Sequence, residues 1–290
     1  MTSRRSFIKQ VATIGIASGL APTILFSQKK TQPIRLLVRA DDMGKSHDRN
    51  MAIIKAHKEG IVTAVSVMPA APFFNEAVEL LKVTPSLSAG LHIIMLDSLM
   101  RPVLTPDSVP TLVNPKGFFW ETKEELEEAN PSLEEMEREI RAQIALARVK
   151  GLNFVYLDNH RLAANVDLIV KICEEQKLLY GDYREEKYGF QRIGGLISES
   201  WGSQEVPDGS RVSYSKPALT KEQEQLYYDR LGDLKPGNWV TTAHPGFAEP
   251  QRADVTRLLC SSKTKEIIRK KNIQLVSYYD LWREEFNLKK

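Results

Sequence analysis

The histidines of this sequence stand where they could act together with aspartates. The chain has only five histidines among 290 residues. Three of them, His92, His160 and His244, end or follow short apolar runs of the kind that form buried strands. The consecutive pair Asp41 and Asp42 stands in the same place after the first apolar run. Imidazoles and carboxylates grouped in this way can hold a divalent metal ion and can move protons.

A divalent-metal site is one chemistry that this set of residues could support. One carboxylate and two imidazoles leave coordination positions open for water and substrate. We therefore expect Asp42, His92 and His160 to bind one divalent cation, with Mg²⁺ and Zn²⁺ as the candidates. Asp41 is the expected general base, which takes a proton from the attacking water. His244 is the expected general acid, which protonates a leaving amine.

Each of these residues also has an ordinary structural explanation. A pair of aspartates often caps a helix, and single histidines are often satisfied groups in a packed structure. We expect such roles for the two other histidines, with His57 as a surface or packing residue and His47 as a loop cap. Spacing alone therefore leaves the choice between a metal hydrolase and structural roles open.

Strand-like and helix-like segments alternate from residue 33 onwards, as βα units do. No glycine-rich phosphate turn follows the first predicted strand, which disfavours a doubly wound nucleotide-binding sheet. We predict an α/β fold, a distorted TIM-like (β/α) barrel of parallel strands. The carboxyl ends of such strands share one rim, where barrels of this class place their chemistry. The candidate residues would then converge in one pocket at that rim.

Some local patterns predict particular features. Asn130-Pro131 predicts the start of a long amphipathic helix, as an N-cap followed by proline. One helix is predicted over Asp254–Lys271, whereas the stretch 181–235 gives mixed signals. Cys173 and Cys260 lack the spacing of a metal site, and we expect both to be buried free thiols.

The N-terminus differs in composition from the rest of the chain. Arg4 and Arg5 precede an uncharged apolar run over 11–26, a pattern that resembles a twin-arginine export signal. This run is shorter than the roughly 20 residues that span a bilayer, so we expect no stable membrane insertion after processing. We predict a signal peptide at 1–30 and a single barrel domain at 31–290. The predicted partner in secretion is the twin-arginine machinery, and the predicted location is periplasmic or otherwise exported.

The rest of the chain is electrically balanced. The only charged residues before residue 29 are Arg4, Arg5 and Lys9, so 37 basic residues face 37 acidic residues in the remainder. A neutral body has no overall field that would attract nucleic acid, and we expect no nucleic-acid partner. The content of 42% hydrophobic and 27% charged residues is that of one soluble globular domain rather than a disordered chain.

Four motifs resemble, in order, those of the YdjC-like carbohydrate deacetylases, and the resemblance spans most of residues 34–282. The motifs are Ala40-Asp41-Asp42-Met43-Gly44, Gly90-Leu91-His92, Leu157-Asp158-Asn159-His160 and His244-Pro245-Gly246. The resemblance implies a distorted (β/α) barrel that hydrolyses N-acetyl groups on an amino sugar or acetylated oligosaccharide. It also implies the base, ligand and acid roles given above for the two aspartates and three histidines.

One motif departs from the pattern of that family. Family members usually continue with further histidines after the third motif, whereas Arg161, Leu162, Ala163 and Ala164 follow His160 here. The small chito-oligosaccharides that the family takes therefore do not carry over directly to this chain. Two alternatives stay open: an exported glycan-binding barrel with a vestigial metal site, and a hydrolase of another sugar-linked bond such as an ester.

Overall fold

A computed structural model of the protein describes residues 32–182, 187–193, 201–205, 211–215 and 217–286. The predicted signal peptide lies outside the described residues, so export and exported location stay predictions. Within the described ranges, no helix is long and apolar enough to cross a membrane.

The fold is organised around one parallel sheet. The strands in chain order are β1 (Ile34–Met43), β2 (Ala64–Val67), β3 (Ser88–Ile93), β4 (Tyr156–Asn159), β5 (Leu179–Tyr180), β6 (Phe190–Arg192), β7 (Trp201–Glu205), β8 (Arg211–Ser215), β9 (Gly237–Ala243) and β10 (Gln274–Val276). Eight of them form the sheet, in the order β5-β4-β3-β2-β1-β9-β6, with β10 paired to the start of β1. The remaining two, β7 and β8, pair with each other antiparallel.

Helices follow most of the parallel strands. They are α1 (His47–Lys58), α2 (Phe74–Lys82), α3 (Lys123–Glu128), α4 (Leu133–Val149), α5 (Val166–Gln176), α6 (Lys221–Gly232), α7 (Pro250–Cys260), α8 (Ser262–Lys270) and α9 (Tyr278–Glu285). Apolar side chains of α1, α2, α4, α5 and α7 share one buried cluster with side chains of the sheet. These five helices therefore cover one face of the sheet, as helices do where an α/β fold buries its parallel strands.

The side chains of β1 alternate between the two faces of the sheet, and this alternation places charged residues at the site. Leu36 belongs to the cluster shared with the helices, whereas Leu37 belongs to a second cluster that contains Tyr156. Successive side chains of a strand point to opposite faces, so Arg39 and Asp41 lie on the same face as Leu37. That inner face therefore changes from apolar to charged as β1 nears its carboxyl end.

The predicted fold class is confirmed. All strand pairs of the eight-stranded sheet are parallel, and the sheet curls into a distorted TIM-like barrel. No ladder joins β5 to β6 in the part of the chain that the structure describes, so the barrel is only partly closed there. Parallel pairing brings the carboxyl ends of β1, β3, β4 and β9 to one rim.

Some element boundaries differ from the predictions. The helix expected to open at Asn130-Pro131 is α4, and Ser132 caps it instead, because its side chain accepts a backbone N–H of the first turn. The single helix expected over Asp254–Lys271 is two helices, because Ser261 ends α7 and caps α8. Helix α6 lies in the stretch of mixed signals, and its apolar pattern is weak because it buries only two side chains.

The two cysteines are free thiols, as predicted. Cys173 is buried, and burial raises its pKa to about 12. Cys260 is only half-buried rather than buried, and burial raises the pKa of this thiol as well. Neither residue is a thiolate at neutral pH, so neither is suited to act as a nucleophile.

Candidate active site and metal centre

All five residues selected for chemistry line one cavity at the carboxyl end of the sheet. The cavity has a volume of about 520 Å³. The strands β1, β3, β4 and β9 bring these residues to it from distant parts of the sequence. The five residues are Asp41, Asp42, His92, His160 and His244.

The other two histidines have partners outside this cavity. His57 bonds through its ring nitrogens to the carbonyl of Val62 and the hydroxyl of Ser86. His47 is exposed and pairs with Glu76 at 2.6 Å. The packing role expected for His57 fits these contacts, and His47 is the first residue of α1 rather than a loop residue.

Asp42, His92 and His160 are buried and offer ligand atoms to a common point. Nε2 of His92 lies 3.0 Å from Nδ1 of His160. Oδ1 of Asp42 lies 3.8 Å and 3.9 Å from these two nitrogens. Two ligand atoms bound to one cation at about 2.1 Å lie at most roughly 4.2 Å apart, and all three distances fall within this limit. The donor set and its spacing therefore fit one divalent cation.

Hydrogen bonds determine which nitrogens face this point. Nδ1 of His92 donates to Oδ1 of Asp158 at 2.9 Å, which leaves the Nε2 lone pair directed at the candidate metal position. The hydroxyl of Ser66 donates to the other oxygen of Asp158 at 2.7 Å and fixes the carboxylate. Nε2 of His160 is buried without a hydrogen-bond partner among the described residues, while its Nδ1 faces His92. Asp158 is not among the site residues predicted from the sequence, although it stands in the motif of His160.

Asp158 also raises the pKa of His92, and the two imidazoles differ in their pKa values. Burial alone lowers the pKa of His92, but the charge and hydrogen bond of Asp158 outweigh burial and raise this pKa to about 9. Burial, followed by the charge of His92, holds the pKa of His160 well below its ordinary value. These shifts favour a charged His92 and a neutral His160 when no cation is bound, so binding of a cation would displace a proton from His92.

Asp42 has an unusual backbone conformation, and two arginines bind its side chain. Its φ of 70° turns the chain sharply after Asp41, so the two carboxylates point in different directions. Arg49 and Arg252 donate to its Oδ2 at 3.2 Å and 3.1 Å, which leaves Oδ1 towards the imidazoles. Burial alone would raise the pKa of Asp42, but Arg252 and Arg49 hold it well below its ordinary value. Asp42 is therefore ionised, as a metal ligand must be.

Asp41 is held by Arg39, which is not among the site residues predicted from the sequence. The guanidinium donates to both carboxylate oxygens of Asp41, from Nε at 2.8 Å and from Nη2 at 3.2 Å. Arg39 also donates to the carbonyl of Gly181 at 2.6 Å and lies 3.2 Å from Asp158. The two-residue spacing on one strand face could have indicated this pair. This arrangement fixes the orientation of Asp41 towards the cavity.

The loop that carries His244 is fastened to helix α1. Both carboxylate oxygens of Asp48 accept the backbone N–H of Phe247, at 3.1 Å and 3.0 Å. A Cβ added at Gly246 would lie 2.9 Å from Cβ of Arg252, so the close approach of the loop to α7 requires glycine there. His244 is half-buried and is therefore held at a defined place in the cavity wall.

The turn after His160 supplies another part of the wall. Arg161 and Leu162 both line the cavity, and both have positive φ, 52° and 54°. Arg161 donates to the carboxylate of Glu121 at 3.1 Å and 3.2 Å and to its carbonyl at 2.7 Å. The departure from the family motif therefore places an arginine and a leucine beside the candidate metal centre.

Comparison with known proteins agrees with the resemblance of the motifs. A carbohydrate deacetylase of Enterococcus faecalis is 34% identical over 260 residues, which cover 85% of this chain and 98% of the relative. A carbohydrate deacetylase of Brevibacillus brevis is 27% identical over 268 residues, which cover 86% of this chain and 100% of the relative.

A solved structure shares the fold. A protein of Enterococcus faecalis V583, described as a proposed cellobiose-phosphate cleavage protein, has a TM-score of 0.65 to this chain at 24% identity. The match covers 86% of this chain and 99% of that one. Residues 35–270 match the sequence profile of the family named YdjC-like protein. Because this match extends over most of the chain, the protein belongs to the YdjC-like family.

Proposed function

We propose that the protein is a metal-dependent carbohydrate deacetylase, which hydrolyses the N-acetyl group of an amino sugar or acetylated oligosaccharide. The convergence of Asp42, His92 and His160 on one point, beside Asp41, carries this proposal. The carbohydrate deacetylases of Enterococcus faecalis and Brevibacillus brevis match over nearly their whole length, which supports an acetylated saccharide as the substrate.

The cavity can supply the groups that amide hydrolysis needs. A divalent cation held by Asp42, His92 and His160 would act as a Lewis acid towards the acyl carbonyl and the attacking water. Mg²⁺ and Zn²⁺ are the candidates, and two imidazole donors favour Zn²⁺.

Asp41 and His244 would handle the protons. Asp41 takes a proton from the water molecule while the water oxygen forms a bond to the acyl carbon. Each carboxylate oxygen has two acceptor sites, so the bonds from Arg39 leave room for this water. His244 gives a proton to the amine as the C–N bond breaks, because an amine leaves poorly as an anion. The products are acetate and a sugar with a free amine.

Acetate release tests the proposal. Purified protein, before and after treatment with a chelator, is incubated with N-acetylated and O-acetylated mono- and oligosaccharides. We expect acetate and free amine in equal amounts, loss of both after chelation, and recovery when a divalent metal is added. Acetate without free amine would identify an esterase instead. Glycan binding without any acetate would identify a binding barrel with a vestigial site.

A further inference from the structure

One hydrocarbon side chain stands out in the wall of the active-site cavity. Among the described residues that line this cavity, Leu162 is the only one with a purely hydrocarbon side chain. It is 39% exposed, so a bound molecule can reach it. The other described lining residues are charged or polar and suit the hydroxyls and ions of a sugar substrate. An apolar part of the substrate would find its partner at Leu162.

The backbone at Leu162 has a conformation that leucine rarely adopts. Arg161 and Leu162 are consecutive residues in the left-handed region, which side chains other than glycine, asparagine and aspartate rarely adopt. Asn159 closes the turn, because its side chain donates to the carbonyl of Ala164 at 2.8 Å and accepts the N–H of Ala164 at 3.0 Å. The bonds from Arg161 to Glu121 hold the other side. A strained backbone that several hydrogen bonds hold in place beside a functional site indicates a role at that site.

Leu162 lies close to the reacting centre. It follows the candidate ligand His160 by two residues, and two residues span at most about 7 Å. In an N-acetyl substrate, the group next to the reacting carbonyl is a methyl, which is one bond from the carbon that water attacks. The sugar ring lies on the other side of the amide and carries mainly hydroxyls. The acyl methyl is therefore the apolar group of the substrate that lies nearest to the attacked carbon, in the part of the cavity to which Leu162 belongs.

We propose that Leu162 determines acyl-group specificity: it packs against the methyl of the acetyl group and limits the length of acyl chain that fits. This inference rests on the proposed deacetylase function. It also assigns a role to the position at which the chain departs from the family motif.

A series of acyl groups tests this role. The substrates are glucosamine disaccharides with N-formyl, N-acetyl, N-propionyl and N-butyryl groups, and the measured quantity is kcat/KM for each. Leu162→Ala is expected to raise the ratio of propionyl and butyryl to acetyl hydrolysis by about tenfold, since one methylene in a pocket changes kcat/KM by that order. Leu162→Met should keep the wild-type ratios, because its side chain is apolar and of similar volume.

Two further variants separate contact from backbone strain. Leu162→Asn accepts the left-handed backbone but is polar, so we expect it to lower the preference for acetyl over formyl several-fold. Leu226→Ala, at a residue of α6 with 40% exposure outside the described cavity wall, is the control and should leave all ratios unchanged.

The outcomes are distinct. Unchanged ratios in Leu162→Ala and Leu162→Asn, or an equal loss on all four substrates, would overturn the specificity role while the deacetylase function stands. Wild-type protein that releases no carboxylic acid from any of the four would overturn the proposed function, and this inference with it.

Discussion

Arg39 pairs with three carboxylates on the inner face of the barrel. Its guanidinium contacts Asp41, Asp158 and Asp182 within 3.3 Å, and all four side chains are nearly inaccessible to solvent. Buried carboxylates without such a partner would be strongly unfavourable. Arg39 therefore holds both the proposed base and the carboxylate that orients His92.

We expect Asp41→Asn to keep the bound metal and to lose about 100- to 10,000-fold in the rate of acetate release, the usual contribution of a general base. Asparagine has the size of aspartate but cannot take the proton from water. Metal content and kcat are measured together on the purified variant. A rate near that of the wild type would assign the base to another residue.

We expect His244→Ala to affect amides more than activated esters. An amine needs a proton in order to leave, whereas a nitrophenolate leaves readily as an anion. Hydrolysis of an N-acetyl sugar should fall about 100-fold or more, and hydrolysis of nitrophenyl acetate less than tenfold. Equal losses on both substrates, together with loss of metal, would make His244 a ligand rather than an acid.

Helix α4 fastens the long connection between β3 and β4. Glu139 is fully buried on this helix and accepts the backbone N–H groups of Val103 and Leu104 at 2.8 Å and 3.0 Å. Burial raises the pKa of Glu139 above its ordinary value, although these hydrogen bonds and the one from Gln143 oppose the change. A raised pKa in the folded state means that folding takes up a proton over the interval between the unfolded and folded pKa values.

The stabilisation linked to Glu139 should therefore grow as the pH falls through the folded-state pKa and shrink as the pH rises. We expect the wild type to gain melting temperature relative to Glu139→Gln when the pH is lowered from 7 to 5. Glu134→Gln, at an exposed position on the same helix, is the control and should show no such change. A difference between wild type and Glu139→Gln that is the same at both pH values would contradict the assignment.

The sequence predicts the helices and strands better than it predicts the side-chain contacts between them. Apolar runs and turn residues indicate the parallel strands, and strand ends indicate where Asp42, His92 and His160 meet. Arg49 and Arg252 could not be predicted, because they come from different helices and reach Asp42 only after α1 and α7 have packed. Local side-chain caps, such as Ser261 between α7 and α8, also escape an analysis of apolar spacing.

Export concerns the chain as a whole and does not depend on the active site. If residues 1–30 are a twin-arginine signal, replacing Arg4 and Arg5 with lysine should leave folded protein in the cytoplasm. Fractionation of cells that express the two forms measures this, with a cytoplasmic and a periplasmic enzyme as markers. Unchanged export of the lysine form would refute the twin-arginine assignment.

The barrel as a whole brings the three candidate ligands from β1, β3 and the turn after β4 close together. We expect one cation between these ligands to support the reaction. A titration of chelator-treated protein with Zn²⁺, with acetate release as the measured quantity, tests this expectation.

We predict that activity in this titration rises to a plateau at about one metal ion per chain. The described residues offer two groups of ligand atoms, Asp42 with His92 and His160, and Asp41 with His92 and Asp158. Arg39 already binds both carboxylates of the second group, so we expect only the first group to hold the ion. His92→Ala and His160→Ala should neither bind the ion tightly nor recover activity. Full activity in metal-free protein, or an unchanged plateau in either histidine variant, would contradict the account.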